Sequence, residues 1–319
     1  MTTTESPASG ALPLFQDFLL GINLPWVHYG CDFGANAWQP EGGLSQPTRR
    51  RGLDEALARI ADAGITNLRW FLLCDGRAGI VERGAGDALS LDGSVLADVD
   101  VGLEALGRRG LRVMFVVLDF LWCDRPRQER GVMLGGRCRH LLDAASRARL
   151  IDRVIVPLVS HCAAHEAVLA WDLMNEPDWL PRWHARLARP GAVSPKAVTR
   201  ALGDLVAAVR AHAPQPLTIG VASHAGLDLV RDLGLDFYQV HWYDRFGLDA
   251  AFSQRVASLG LDRPLLLGEF PTRHTAVGPA TIVAAARRLG YVGAFSWSLL
   301  AGDDVSSGIA ALIASPNLP

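Results

Sequence analysis

The chain has 319 residues, of which 50% are hydrophobic and 20% charged, so it can bury a large core as one α/β barrel or as two ordinary domains. Its 31 Lys and Arg against 33 Asp and Glu leave no basic excess to neutralise phosphates, which argues against nucleic acid and anionic membranes as partners. The five cysteines have no C-x-x-C or zinc-type spacing, so we interpret them as reduced thiols and expect neither a metal nor another cofactor.

The first residues, MTTTESPASGALPLF, are polar and lack a basic segment followed by an apolar one. No later stretch reaches the roughly 18 apolar residues that a membrane helix needs. We therefore expect a cytoplasmic protein that does not bind membranes.

Apolar runs and helix-like segments alternate along the whole chain. Strands are predicted at 18–27, 65–73, 111–120, 167–177, 216–223, 236–244, 264–270 and 291–300. Helices are predicted at 52–64, 94–110, 144–165, 194–213, 225–234, 248–260 and 278–290. Continuously apolar strands separated by helices indicate a parallel sheet covered on both faces, and eight such units favour a closed (β/α)₈ TIM barrel over an open sheet.

No Pro- or Ser-rich linker divides the chain, so we predict one barrel domain at 18–310, an N-terminal extension at 1–17 and a C-terminal tail at 311–319. No Gly-x-Gly-x-x-Gly follows the first strand, and no phosphate-binding Gly-x-x-x-x-Gly-Lys-Ser/Thr occurs. The long segments 28–51, 74–93, 120–143 and 178–193 all follow strands, which is where a barrel carries its binding loops.

Polar residues interrupt the apolar strands near their C-terminal ends, which share one mouth in a barrel. They are Arg69, Asp119, Asn175, Glu176, His241, Tyr243 and Glu269. Glu176 and Glu269 lie on strands 4 and 7, roughly opposite each other across the mouth. Two carboxylates that face one bond are the arrangement of glycoside hydrolysis, in which one acts as an acid and the other as a nucleophile or base.

Tryptophans gather at the same end of the predicted barrel. They are Trp26, Trp38, Trp122, Trp179, Trp183, Trp242 and Trp297. Their flat apolar faces suit the C–H faces of sugar rings, which predicts a carbohydrate ligand.

Five motifs in strand order resemble those of clan A glycoside hydrolases, most closely family 5. They are LRW on strand 2, WDLMNEP on strand 4, HWYD on strand 6, LLLGEF on strand 7 and FSWSL on strand 8. The resemblance covers residues 18 to 300, and it implies a TIM barrel that cleaves β-glycosidic bonds with retention.

Carried over by position, the resemblance implies that Glu176 is the general acid/base and Glu269 the nucleophile. Asn175 would bind the sugar 2-hydroxyl, and Trp297 would form the floor under the reacting sugar. Arg69 and Tyr243 would hold Glu269, and His241 would lie near Glu176.

Physical arguments agree with these roles. Arg69 is expected to lower the pKa of Glu269 and so keep it ionised. Trp171 and Pro177 are expected to desolvate Glu176 partly, which favours the protonated form that a general acid needs.

One departure from the family concerns the end of strand 3, where many relatives carry a histidine that binds the reacting sugar. This chain has Asp119 and Trp122 there, and His28 and Asp32 are candidates for the missing contact. The departure leaves open which sugar is recognised.

The sequence thus predicts a retaining glycoside hydrolase that acts on β-linked oligosaccharides or small glycosides. A transglycosylase on the same fold, in which a sugar intercepts the intermediate, remains an alternative. A catalytically silent carbohydrate-binding barrel is the non-enzyme alternative.

Overall fold

Eight parallel strands form the barrel in the computed structural model, which describes residues 12–83, 88–181, 193–244, 253–300 and Ser306. The strands are β1 Leu19–Asn23, β2 Asn67–Phe71, β3 Arg112–Asp119, β4 Val168–Asn175, β5 Leu217–Thr218 with Gly220–Val221, β6 Tyr238–His241, β7 Leu265–Pro271 and β8 Gly293–Trp297. Each strand pairs with its neighbours in the chain, and β1 also pairs with β8. The first piece of β5 pairs with β4 and the second with β6, so the circle closes through this broken strand. The predicted (β/α)₈ barrel is confirmed.

Helices follow most of the strands and cover the outside of the barrel. They are α1 Pro47–Asp62, α2 Val95–Gly107, α3 Cys138–Leu142, α4 Ala144–Leu150, α5 Val156–Cys162, α6 Pro195–His212 and α7 Pro279–Leu289. The starts of α4 and α6 are capped by Asp143 and Ser194, whose side chains accept from the backbone N–H three residues later. None of the described helices is long and apolar enough to cross a membrane.

A π-helical turn at Ile151–Ile155 joins α4 to α5 within the single helix predicted at 144–165. Pro157 lies in the first turn of α5. Because proline has no N–H to donate and its ring crowds the preceding turn, the wider turn accommodates it without ending the helix.

Two of the predicted helices differ from the expectation in the part of the chain that the structure describes. The segment predicted at 225–234 forms a 3₁₀ helix at His224–Leu229, and the segment predicted at 248–260 forms one at Val256–Leu259, with 248–252 outside the described residues. Gly226 explains part of the first difference, because a Cβ there would lie 2.6 Å from Asp178 Oδ2. The turn is therefore shaped by close contact with the loop after β4 and not by helix propensity.

Two β-hairpins in the loops after β2 and β3 were missed by the sequence analysis. One pairs Ile80–Arg83 with Ala88–Leu91, and the other pairs Arg127–Glu129 with Val132–Leu134. The second turns at Arg130 and Gly131, which both have positive φ, as a two-residue hairpin turn requires. Strands of three or four residues are too short to give a periodic sequence signal.

Apolar side chains seal the end of the barrel where the strands begin. They are Leu19, Met114, Leu169, Ala170, Phe237, Leu266 and Phe295. Phe15, from the 3₁₀ helix Pro13–Phe15, packs edge-on against Phe237 with ring centroids 5.2 Å apart. With this end closed, the polar residues of the interior lie toward the opposite end, where the strands finish.

Candidate active site

Glu176 and Glu269 face each other at the C-terminal end of the barrel. Glu176 directly follows β4 and Glu269 lies within β7. One carboxylate oxygen of each, together with one ring nitrogen of His241, forms a group whose atoms all lie within 4.8 Å of one another. An oxygen of each carboxylate within 4.8 Å of the other favours the close pair of a retaining glycosidase, with carboxyls about 5–5.5 Å apart, over an inverting pair at about 6.5–9.5 Å.

Glu269 is held at both carboxylate oxygens. Arg69 Nη1 donates to Oε1 at 2.6 Å, and the hydroxyl of Tyr243 donates to Oε2 at 2.7 Å. The backbone N–H of Trp242 donates to the carbonyl of Glu269 at 2.9 Å, which ties the end of β6 to β7. These contacts fix the carboxylate in one orientation toward the barrel mouth.

The pKa of Glu269 differs from the sequence-based expectation. Burial raises this pKa above its ordinary value, and although His241, Arg69 and Tyr243 oppose that effect, they do not overcome it. Arg69 does lower the pKa of Glu269, as expected, but the expectation left out the larger cost of taking a carboxylate out of water. The arginine compensates part of that cost and keeps a buried carboxylate paired with a cation.

Glu176 has an unusual backbone conformation that aims its side chain. Its φ is +48°, a region that few non-glycine residues adopt, and its N–H donates to the carbonyl of Gly220 on β5 at 2.6 Å. The carboxylate contacts His241 Nδ1 through Oε1 at 2.7 Å and accepts from Trp179 Nε1 through Oε2 at 2.8 Å. The side chain is 15% exposed, so it keeps access to the cleft.

The expected apolar neighbour of Glu176 was misidentified. Trp171 is fully buried and stacks on Phe115 with centroids 5.8 Å apart, in the core shared with the helices. Because side chains alternate along a strand, Trp171 and the inward-facing Asp172 lie on opposite faces of β4. Trp179, three residues after the glutamate, is the tryptophan that contacts Glu176.

His241 lies between the two glutamates and is fully buried. Burial and the nearby Arg69 lower its pKa to about 4, although Glu269 and Asp172 act in the opposite direction. The imidazole is therefore neutral at neutral pH and carries one ring proton.

Arg69 is the centre of a buried network that the sequence analysis recognised only in part. Besides Glu269, its guanidinium donates to Asn23, Asp172 and Asn175. Asp172, Asn23 and Gln239, which donates to Asp172, were not predicted as site residues. Asp172 and Gln239 carried a usable signal, because each is a polar residue inside an apolar strand.

Asn175 and Asp119 form a pair beside the glutamates. Asn175 Nδ2 donates to Asp119 Oδ2 at 2.8 Å, and the backbone N–H of Leu121 donates to Asp119 Oδ1 at 2.7 Å. Burial raises the pKa of Asp119 to about 8, and the charges of Glu176 and Glu269 add to the effect. Asp119 thus holds the side-chain amide of Asn175 and accepts from the backbone of the turn after β3.

The predicted tryptophans divide into two groups. Trp26, Trp38, Trp179 and Trp297 are partly exposed. Trp26 and Trp297 pack on one cluster of Phe71, Cys74 and Val116, and Trp38 Nε1 donates to the carbonyl of Glu129 in the second hairpin. Trp297 thus lies in the mouth together with Trp26.

Trp122 and Trp242 are only 2% and 3% exposed and belong to the hydrophobic core. The indole N–H of Trp122 donates to the carbonyl of Leu73 at 3.3 Å. Both were expected to bind or support the substrate, and their burial leaves little ring surface for a direct sugar contact. Trp183 lies outside the described residues.

The two candidates for the missing sugar contact have different surroundings. Asp32 is 2% exposed and accepts from the backbone N–H groups of Val27 and His28 and from Trp70 Nε1, so it organises the loop after β1. His28 is partly exposed and lies 3.2 Å from Asp32 Oδ1 through Nδ1. Of the two, only His28 has surface to offer a ligand.

Glu176, His241 and Glu269 are also the one set of side chains, among the residues described, that is spaced to hold a metal ion. The facing oxygens are already engaged, one by His241 and one by Tyr243. Two carboxylates with a neutral imidazole between them account for acid and base chemistry without a cation.

Comparison with known proteins supports a carbohydrate-active barrel, although no family model matches the chain. A mannan endo-1,4-beta-mannosidase of Mytilus edulis is 26% identical over 320 residues, covering 88% of this chain and 83% of that protein. The crystal structure of an endo-1,4-beta-mannanase from Eisenia fetida has a TM-score of 0.77 at 23% identity and covers 93% of this chain and 89% of its own. A beta-1,4-mannanase from Aplysia kurodai has a TM-score of 0.74 at 23% identity, covering 94% and 93%. The two structures agree with the barrel fold.

Proposed function

We propose that this chain is a clan A glycoside hydrolase, most like family 5, and that it hydrolyses β-1,4-linked mannan or manno-oligosaccharides with retention at the anomeric carbon. The observation that carries the proposal is the facing pair Glu176 and Glu269, whose nearest oxygens lie within 4.8 Å. The two glutamates have different neighbours, which suits two different roles.

In the first step, Glu269 is the nucleophile. Its carboxylate attacks the anomeric carbon while Glu176 donates a proton to the oxygen of the breaking glycosidic bond, so the leaving sugar departs as an alcohol. The product is a glycosyl ester on Glu269. Arg69 and Tyr243 hold the two oxygens of Glu269 and so fix the direction of attack.

In the second step, Glu176 acts as a base. It takes a proton from a water molecule, which attacks the same anomeric carbon and releases Glu269 as a carboxylate. Two inversions give net retention. A neutral His241 beside Glu176 lets this carboxyl gain and lose its proton in each cycle, whereas a permanent cation would favour the ionised form throughout.

Asn175 is proposed to bind the sugar 2-hydroxyl. Its Oδ1 accepts from Arg69 and its Nδ2 donates to Asp119, which fixes the orientation of the amide. Nδ2 has a second hydrogen, which can be donated to a substrate hydroxyl. Trp297 and Trp26, which share one supporting cluster, are proposed as stacking surfaces for adjacent sugars.

The substrate class rests on the relatives. The curated relative is named as a mannan endo-1,4-beta-mannosidase, and the two structural relatives are named as mannanases. We therefore propose a β-linked mannose polymer or oligomer as the substrate. Transfer of the glycosyl group to a sugar acceptor would use the same ester, and added acceptor would reveal it as longer products.

The test combines substrate choice with stereochemistry. Activity is measured on β-1,4-mannotetraose, β-mannan and the aryl β-glycosides of mannose, glucose and galactose, and the anomer formed first is identified by ¹H NMR. We expect release from the β-mannosides, with the β-anomer appearing before mutarotation. No release from any β-mannoside, or first formation of the α-anomer, would exclude the proposed reaction.

A further inference from the structure

Every N–H of the Arg69 guanidinium has an acceptor inside the barrel. Nε and one Nη2 hydrogen reach Asp172 Oδ2 at 3.0 and 2.8 Å, and Nη2 also donates to Asn175 Oδ1 at 2.7 Å. Nη1 donates to Asn23 Oδ1 at 3.0 Å and to Glu269 Oε1 at 2.6 Å. A guanidinium has five N–H donors, so all are used, and the cation has two carboxylate partners.

Asp172 is fully buried, and all of its polar contacts are with donors. Oδ2 accepts from Arg69 and from Gln239 Nε2, which lies 2.5 Å away, and Oδ1 accepts from the backbone N–H of Gly220 at 3.0 Å. A carboxylate accepts at both oxygens, whereas an amide would turn an N–H₂ group toward at least one of these donors. The surroundings therefore require an aspartate.

Gly220 allows these groups to approach so closely. A Cβ at this position would overlap Gln239 Nε2 and lie 3.0 Å from Asp172 Oδ2. The break in β5 therefore places the backbone N–H of Gly220 where it can donate to Asp172 without a side chain in the way.

We propose that Asp172 is a positioning residue for the nucleophile: its carboxylate fixes the guanidinium of Arg69 and offsets its charge, so that Arg69 orients Glu269 without weakening it as a nucleophile. The proposal rests on the proposed function, because it assigns Glu269 the attacking role. It adds a buried aspartate that does not touch the substrate but acts on the reaction through the arginine.

The charge balance around Glu269 explains why the second carboxylate matters. The groups that face Glu269 are Arg69 from β2, Asp119 from β3, Glu176 after β4, and His241 and Tyr243 from β6 and the loop after it. His241 is neutral at neutral pH, because its pKa is lowered to about 4. Arg69 is thus the one full positive charge in this group, and an unbalanced guanidinium would stabilise Glu269 as an anion and make it less basic.

The experiment compares three variants. D172N keeps the shape of the side chain and removes its charge. D172A/Q239E moves the carboxylate to the neighbouring residue, which can occupy the space beside Arg69. D98N is the matched control, because Asp98 is also fully buried and accepts three backbone N–H groups, from Gly34, Gly43 and Ser45, in the loop after β1.

Two quantities are measured on the full chain. The first is the titration of the Glu269 carboxyl by ¹³C NMR, with its signal assigned as the one lost in E269Q. The second is the acidic limb of the pH profile of kcat/KM on an aryl β-mannoside. The NMR titration needs no substrate, so it tests the role of Asp172 independently of the proposed function. Absence of β-mannosidase activity in the wild type would show that the proposed function itself is wrong.

We expect D172N to shift the Glu269 titration to lower pH by about one unit, and the acidic limb with it. We also expect kcat to fall by up to about a hundredfold at the optimum pH. D172A/Q239E should recover most of the shift, whereas D98N should lose stability with the titration unchanged.

A folded D172N protein whose Glu269 titrates as in the wild type would overturn the proposal. If D172N does not fold, the titration of Glu269 in D172A/Q239E tests the proposal in its place. A folded D172A/Q239E protein with a near-wild-type titration supports the role of charge. The proposal is refuted if Glu269 titrates at lower pH in D172A/Q239E than in the wild type, or if this variant fails to fold while D98N folds.

Discussion

Nδ1 of His241 lies 2.7 Å from Oε1 of Glu176 and 3.6 Å from Oε2 of Glu269, so one imidazole edge faces both proposed catalytic carboxylates. Burial is the main cause that lowers the pKa of His241 to about 4. A neutral imidazole with its proton on Nδ1 can donate to Glu176 without imposing a positive charge on it. This placement suits the proposed roles, because Arg69 supplies a cation to the nucleophile, while His241 and Trp179 face the acid/base as neutral groups.

The first prediction concerns the charge state of His241. Because its folded-state pKa lies below the ordinary 6.5, the unfolded chain binds more protons between about pH 4 and 6.5. The contribution of His241 to stability is therefore present above about pH 6.5 and is lost as the pH falls through 4. ¹⁵N-edited NMR should show the imidazole neutral from pH 6 to 8, with H241N identifying the signals. A titration of His241 between pH 6 and 7 would contradict this account.

The second prediction separates the two glutamates. Replacing Glu269 with alanine removes the attacking carboxylate, so turnover should fall by several orders of magnitude on every substrate. Replacing Glu176 with alanine should spare the first step for an activated aryl mannoside, whose leaving group needs little protonation. The glycosyl-enzyme should then accumulate, and mass spectrometry of the intact protein should detect it.

Azide provides the stereochemical check on this pair. With Glu176→Ala, azide should attack the accumulated ester and give the β-glycosyl azide, whereas with Glu269→Ala it should attack the substrate directly and give the α-azide. Glu104→Ala, on the exposed face of α2, is the control and should retain activity. Equal loss in both active-site variants on all substrates, with no azide product from either, would show that the roles are wrongly assigned.

The barrel could be predicted from the sequence because its signals are long and repeated. Apolar strands such as Val168–Asn175 and amphipathic helices such as Pro195–His212 have clear periodicity. The contacts of Glu269 with Arg69 and Tyr243 were implied by the resemblance of the strand-end motifs to a known family. The burial of Trp122 and Trp242 could not be predicted in this way. Whether a ring at a strand end points into the cleft or the core depends on the loop that covers it, and single-residue patterns do not encode that packing.

The polar interior of the barrel was also underestimated. Asp172 sits inside an apolar run, and its role becomes evident only when Arg69, Gln239 and Gly220 from three other strands surround it. Likewise, the net effect on the pKa of Glu269 depends on how completely the site is buried, which the identity of its partners does not reveal.

The third prediction concerns Asp119. Burial raises its pKa to about 8 from an ordinary value of 3.8, so the folded protein binds an extra proton between these values. Its contribution to stability is fully present below about pH 4 and is lost as the pH rises through 8, at up to about 1.4 kcal/mol per pH unit. D119N should flatten this loss, although losing one acceptor for Asn175 should lower its stability at every pH.

Guanidinium unfolding of the wild type and D119N at pH 5, 6.5 and 8 measures this effect. The difference in unfolding free energy between the two proteins should change steadily in favour of D119N as the pH rises. Asp62→Asn, at the exposed end of α1, should show no such trend. A difference that stays constant across this range would mean that Asp119 is ionised throughout.

The last prediction contrasts a tryptophan of the mouth with one of the core. Trp297 is partly exposed and packs on Phe71 with centroids 6.3 Å apart, whereas Trp122 is 2% exposed and bonded to Leu73. W297A should raise KM or lower kcat by about tenfold, as loss of one stacking surface predicts, with a smaller loss of stability. W122A should cost about 3–5 kcal/mol of unfolding free energy, as large-to-small changes in a core do. Thermal unfolding of both variants, and their kinetics on mannotetraose at a temperature where both are folded, test this contrast. The assignment of Trp297 to the mouth and Trp122 to the core fails if W297A is the less stable protein and W122A has the larger catalytic defect.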